Sequence, residues 1–375
     1  MNGFFRRHRV FILTESIAAV LIAALLLWQN AVTGALDSQA AAARWRAGDM
    51  RFAQVGTYIA NGSGMTREQI YTLRDGIDNA LLQASVTAET SGARLWYDAW
   101  CGFGTLTLKG PHASVSAAVT GVGGDFFRIH NWPLRSGYYF SEADVTADRV
   151  VLDATAAWQL FGSTDVAGLE IQIGERPLVV AGVVELPDNP WETAAYGDTP
   201  RIYMDYNTLA EYQTMEITCY EAVLPDPVSG FAKALLEKQL PVGETNRAVI
   251  ECSDRYRMGT LLNLARNFAQ SRIVSVPVVY PWWENAARVT EVQAALLQFA
   301  WLALCVVPAA GLCVLAVRAW KGRRIHFADI PEYYERARAW IDEKKQHKSR
   351  ENAPRTRLFP SRRNKKEKTD EENRV

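Results

Sequence analysis

The sequence has few of the residues that carry chemistry. Histidine occurs five times in 375 residues, at His8, His112, His130, His326 and His347. That scatter offers no spacing for a zinc shell, so no metal is expected. There is no Walker A glycine loop, and Gly102-Phe103-Gly104 and Gly121-x-Gly123-Gly124 follow neither nucleotide fingerprint. Turns are the expected use of these glycines. No nucleophile, base and oxyanion donor recur together, which argues against an enzyme and leaves no cofactor to expect. Cysteine is also sparse. Of five, Cys305 and Cys313 fall inside an apolar run where packing accounts for them, leaving Cys101, Cys219 and Cys252. An odd number leaves at least one thiol unpaired. No internal repeat is visible, and the formal net charge is +0.

That zero hides segregation. Residues 1–29 sum to +2, residues 30–294 to −10 and residues 295–375 to +8. Basic ends around an acidic middle point to a membrane surface rather than to nucleic acid. Two runs are long enough to span a bilayer, which takes roughly 20 mostly apolar residues. The first covers residues 10–29 and the second residues 294–317. Arg6, Arg7 and Arg9 precede the first, and Arg318, Lys321, Arg323 and Arg324 surround the end of the second. Positive flanks stay on the cytoplasmic side. The expected topology in the plasma (cytoplasmic) membrane is therefore multi-pass, with both termini inside and residues 30–293 outside. Trp28, Trp301 and Trp320 lie near the span ends, where indoles favour the interface.

A cleaved signal peptide is the competing reading of the first run, with Thr33 and Ala35 as a small-residue cleavage site. The run exceeds the roughly 7–15 residues of an ordinary h-region, which favours an uncleaved anchor. Glu15 lies inside the first run. It either snorkels to the cytoplasmic interface or pairs with Arg318 at the end of the second.

The outer region mixes α and β signals. Residues 66–84 are the clearest helix, with Thr66 and Gln69 at capping-box spacing and Ile70, Leu73, Ile77 and Leu81 on one face. Strands are expected at 51–59, 96–108, 113–120, 150–152, 169–173, 178–184, 201–204, 216–224, 248–252 and 273–280. Shorter helices are expected at 154–161, 229–240 and 257–270, and a loop at 187–200. Residues 31–46 and 283–293 read as helical stalks continuing the two spans. The class is α+β. Beyond the second span, residues 318–345 read as a juxtamembrane helix and residues 346–375 as a disordered basic tail. That basic segment either lies on the inner leaflet or a cytoplasmic partner, or is a solvated topogenic tail.

From residue 119 a known pattern emerges. Val122-Gly123-Gly124-Asp125-Phe126-Phe127 is followed by Leu134-Arg135-Ser136-Gly137-Tyr138-Tyr139-Phe140, then Val150-Val151-Leu152. Leu160-Phe161-Gly162, Val166-Ala167-Gly168 and Val179-Val180-Ala181-Gly182-Val183-Val184 complete it. This resembles the MacB-like periplasmic core domain of ABC-transporter permeases of the FtsX/MacB type. Asp125, Phe126, Phe127, Gly137, Leu160, Phe161, Gly162 and Gly168 match the family pattern and suit turns, helix ends and core rather than catalysis. Tyr138 stands where the family usually has Arg, and Leu169 where it often has Lys.

The resemblance implies a permease-like, non-catalytic subunit of an ABC-type export or envelope-remodelling complex. Such permeases follow the domain with three helices of the FtsX type, and one apolar run follows it here. The implied partners are an ABC ATPase, a second permease chain, or both, with a homo- or hetero-dimer as the form. The alternative function is a membrane-anchored extracytoplasmic binding, sensing or scaffold module. Among the thiols, Cys219 and Cys252 are the expected disulfide pair, because the helix between their strands could set those strands side by side.

Overall fold

In this computed structural model the described residues are 9–45, 50–88, 93–142, 144, 147–267, 277–322, 335–336 and 338–345. The chain divides into two compact units, Met1–Pro308 and Ala309–Val375. The first holds the folded domain. Its helices are α1 (Arg9–Gly34), α2 (Ala41–Arg44), α3 (Arg67–Gln83), α4 (Phe126–His130), α5 (Ala154–Phe161), α6 (Pro190–Tyr196), α7 (Tyr206–Ala210), α8 (Phe231–Gln239), α9 (Met258–Arg266) and α10 (Trp282–Leu304). Helix α11 (Val306–Gly322) follows, and residues 335–336 and 338–345 are helical.

The strands are β1 (Phe52–Ile59), β2 (Tyr97–Lys109), β3 (Ser114–Gly124), β4 (Leu134–Gly137), β5 (Arg149–Asp153), β6 (Glu170–Ile173), β7 (Arg176–Val184), β8 (Arg201–Asp205), β9 (Cys219–Pro225) and β10 (Arg247–Glu251). They form one mixed sheet in the order β10-β1-β9-β2-β3-β8-β5-β7-β4, with β6 bridging β2 and β7. The β3–β8 and β5–β7 pairs are parallel, and the others are antiparallel. The class is α+β, as the sequence implies.

Local chemistry sets the helix ends. Thr66 Oγ1 accepts from Gln69 N at 3.4 Å while Gln69 Oε1 accepts from Thr66 N at 2.9 Å, the reciprocal capping box. Asp153 caps α5 by accepting from Ala156 N at 2.6 Å, and Gly162 closes that helix at φ 70°.

Residues of β1 and β9 alternate between two cores. Ala53, Val55, Ile59, Tyr220, Ala222 and Leu224 face α3 and α8, where Ile70, Leu73, Ile77 and Leu236 cover them. Phe52, Tyr58, Cys219 and Val223 face the opposite core, which receives Trp282 and Trp283 from the start of α10. Both faces of these strands are buried, so the sheet can anchor a helix without exposing apolar surface.

Four expectations need correction. The first stalk is not continuous: α1 stops at Gly34, and the chain turns through a 3-10 helix (Asp37–Gln39) into α2. Packing overrides helix propensity here, since Ser38, Gln39, Ala41 and Ala42 are buried and Gln54 Oε1 accepts from Ala41 N at 3.0 Å. Within 187–200, expected to be loop, Asn189 caps α6 and Pro190 takes its first turn.

The glycines read as turns lie within β2 and β3. A Cβ on Gly123 would stand 2.2 Å from Cζ2 of Trp100, so glycine makes room for an indole. Finally, Cys219 and Cys252 are free thiols. Strand β1 lies between β9 and β10, and two strand spacings come to roughly 9.5 Å, beyond the ~7 Å Cα reach of a disulfide. Cys219 instead stands opposite Cys101 across β9–β2. Half of the expected 273–280 strand and all of residues 346–375 lie outside the described residues; within 277–280, Val278 makes a single bridge to Ala60.

Candidate functional site

Helix α10 begins in the domain core and continues into the second apolar run. Its 23 residues rise about 34 Å at roughly 1.5 Å each. Trp282, Trp283, Glu284, Ala286, Ala287 and Thr290 are buried, whereas Leu296 and Phe299 are exposed. The start of the helix is core, and its later turns mix exposed apolar residues with the buried Ala294, Ala295, Leu297 and Gln298. Candidate spans of membrane length and composition are Phe11–Gly34 and Trp282–Val317.

The foot of α10 carries a buried polar network. Arg255 Nη2 donates to both Glu284 oxygens, at 2.9 and 2.7 Å, and Tyr58 OH donates to Glu284 Oε2 at 3.2 Å. Glu284, Tyr58 and Arg255 are all essentially inaccessible. Burial of Arg255 opposes its charge, yet the Glu284 carboxylate more than offsets this and holds its pKa well above the usual range. Nearby, His130 Nε2 lies 3.1 Å from Glu221 Oε2, with both side chains buried. Desolvation pushes the neighbouring Cys252 thiol up to about 12, against the pull of Arg255. A thiol held that high is a poor nucleophile.

Aromatic rings enclose this network. Trp283 lies 4.6 Å from the His130 ring, 5.7 Å from Phe126 and 6.1 Å from Phe103. Trp282 stacks on Trp132 at 5.1 Å and meets Tyr196 edge-on at 4.8 Å. Two adjacent indoles therefore fix α10 rotationally in the core while Glu284 is pinned by charge. Higher on the same helix, Gln298 Nε2 donates to Met258 O at 3.0 Å and Trp301 Nε1 donates to Gln29 Oε1 at 2.8 Å. The second bond joins α10 to α1. These contacts join the foot of α10 to Tyr58 on β1 and to Phe126 and His130 on α4.

Phe126, Phe127, Leu160 and Phe161 are buried, and Asp125 sits at the start of α4 with Arg94 at 2.6 Å. Gly137, Gly162 and Gly168 all take positive φ. Glu15 lies on α1, and the Arg318 side chain with which a pair is expected lies outside the described residues. Sequence reasoning missed Arg255–Glu284 and set His130 aside as one of a scatter. The available signal was an acid placed directly after Trp282-Trp283 at the entrance to an apolar run. Among the described residues, no three His, Cys, Asp or Glu side chains group to hold a metal ion.

Comparison with known proteins gives a consistent family. The profile described as "MacB-like periplasmic core domain" matches residues 10–240. Two similar relatives are macrolide export ATP-binding/permease proteins MacB. The one from Chromobacterium violaceum is 34% identical over 128 residues, covering 34% of this chain and 17% of the relative. The one from Agrobacterium fabrum is 38% identical over 108 residues, covering 28% of this chain and 16% of the relative. The matches thus span about a sixth of those proteins' length.

Among solved structures, the periplasmic region of MacB from Actinobacillus actinomycetemcomitans aligns with TM-score 0.40 and 17% identity, over 57% of this chain and 92% of that one. The extracellular domain of the noncanonic ABC-type transporter YknZ from Gram-positive bacteria aligns with TM-score 0.36 and 14% identity, over 52% and 99%.

Proposed function

The chain belongs to the MacB-like periplasmic core domain family, and from that premise we propose that it is the membrane subunit through which an ABC-type export or envelope-remodelling complex moves an extracytoplasmic domain. The carrying observation is α10, whose first turns are held in the domain by Trp282, Trp283 and Glu284 and whose later turns carry exposed apolar residues such as Leu296 and Phe299. A rod of that kind transmits a shift made at the membrane into the sheet, which is the role expected of a permease subunit. ATP hydrolysis falls to a partner ATPase in this reading, because these residues supply no glycine loop to cradle phosphates. A second permease chain or a second copy of this chain is its partner in the membrane in this reading. Both termini lie in the cytoplasm and the sheet domain outside, as the basic flanks favour.

The test is purification of the tagged chain from membranes in mild maltoside, with mass spectrometry of its companions and an ATPase assay. Co-purification of an ABC ATPase whose activity changes when the Arg255–Glu284 pair is broken supports the reading. A chain recovered in full amount without any ATPase, from cells and after cross-linking, overturns it.

A further inference from the structure

A cleft of about 290 Å³ opens beside the end of α1, between the loop that precedes α6 and the first turn of α10. Its walls carry aromatic rings, among them Trp132, Tyr196 and Trp282, together with the acidic residues Asp37, Glu185, Asp188 and Glu192. Among the described residues, no Lys, Arg or His lines it. Two cations next to lining residues have partners of their own. Arg201 sits over the Tyr196 ring at 4.7 Å and donates to Tyr196 O at 2.7 Å, and Arg44 donates to the carbonyls of Asp37 and Ile129.

Glu192 is the unexplained group. It is only 9% exposed, lines the cleft, and has no hydrogen bond or ion pair among the described residues. A buried carboxylate without a partner is costly to keep. Burial, reinforced by Asp188 and Asp37, pushes its pKa up to about 7. The carboxylates of the cleft do not group to hold a metal ion. What they leave is negative potential over π faces, the combination that attracts an ammonium group.

We propose that this cleft is a binding site for a headgroup-sized organic ammonium ion, with Glu192 as its counter-ion and Trp132, Tyr196 and Trp282 as its apolar walls. The volume lies at the small end of ligand clefts, so it takes a primary or quaternary ammonium with a few carbons and no drug-sized body. Two sources share this chemistry. One is a free small amine, and the other is the ammonium headgroup of an outer-leaflet lipid. The lipid source rests on the topology proposed above; the ammonium site does not.

The experiment uses the full chain in maltoside micelles at pH 8, with tryptophan fluorescence as the readout. The probes are tetramethylammonium chloride, short-chain phosphatidylethanolamine, and short-chain phosphatidylglycerol as the control lipid. Saturable quenching by one ammonium probe and none by phosphatidylglycerol is expected. Glu192→Gln should weaken binding by about tenfold or more, and Asp188→Asn by a smaller factor. Affinity should fall as pH is lowered through 7, because Glu192 becomes neutral. Saturation by tetramethylammonium identifies a free cation as sufficient; saturation by phosphatidylethanolamine alone identifies the lipid.

Failure of both ammonium probes to saturate, or unchanged affinity in a folded Glu192→Gln protein, overturns the proposal. Either failure leaves the export reading intact, since no ATPase measurement enters the test.

Discussion

Gly123 and Trp100 are partners in space though 23 residues separate them, and the fit between them is tight enough to test. Gly123→Ala must push the indole or the backbone aside, so it should lower stability by about 1–3 kcal/mol, read as a drop in Tm. Shrinking the indole in a Gly123→Ala/Trp100→Leu protein should recover part of the loss. The buried pair behaves differently. Removing either Arg255 or Glu284 alone leaves an uncompensated charge in the core, which costs about 3–5 kcal/mol. Arg255→Met and Glu284→Leu together should cost much less than the sum of the two. Additive losses in denaturant unfolding would mean that the pair is not coupled.

Glu192 adds a pH signature. Its proton is held to about pH 7 in the fold, against an ordinary value of 4.5. Between those values the folded chain binds more protons than the unfolded one, so stability falls as pH rises, and the penalty is complete above pH 7. Glu192→Gln should match the parent near pH 4.5 and exceed it at pH 8, measured as Tm against pH.

At the scale of elements, α3, α5 and the cores of the longer strands were legible because cap chemistry and apolar period agree locally. The broken first stalk was not legible, since an alanine-rich segment reads as helix until the sheet supplies a buried amide partner at Gln54. Because α1 stops at Gly34, no continuous stalk through residue 46 lies along α10. Helix α1 meets α10 at Gln29 and Trp301. Cysteines at those two positions should cross-link with a short bifunctional reagent in membranes. A cross-link absent there, yet present between positions 40 and 287, would restore the continuous-stalk arrangement.

For the whole molecule, segregated charge makes the topology testable. Asp198 is exposed on the domain, so Asp198→Cys should react with an impermeant thiol reagent in spheroplasts. Lys366→Cys should stay unlabelled until the membrane is permeabilised. Labelling of position 366 in sealed spheroplasts would reverse the orientation of the basic flanks and with it the proposed place of the sheet domain.

The sequence by itself determined the two apolar helices, the α+β class, the capped helices and the family, because each rests on local period, local charge or a contiguous string of residues. Only the tertiary structure decided which strands are neighbours. Placing β1 between β9 and β10 removed the Cys219–Cys252 bridge, pairing β9 with β2 set Cys101 opposite Cys219, and pairing β2 with β3 turned Gly123 into clearance for Trp100. Tertiary packing also joined Arg255 to Glu284, His130 to Glu221, and Glu192 to the walls of Trp132 and Trp282. Those contacts link residues far apart along the chain, and no periodicity encodes them. Their strength comes from exclusion of water, which exists only after the sheet has closed over them.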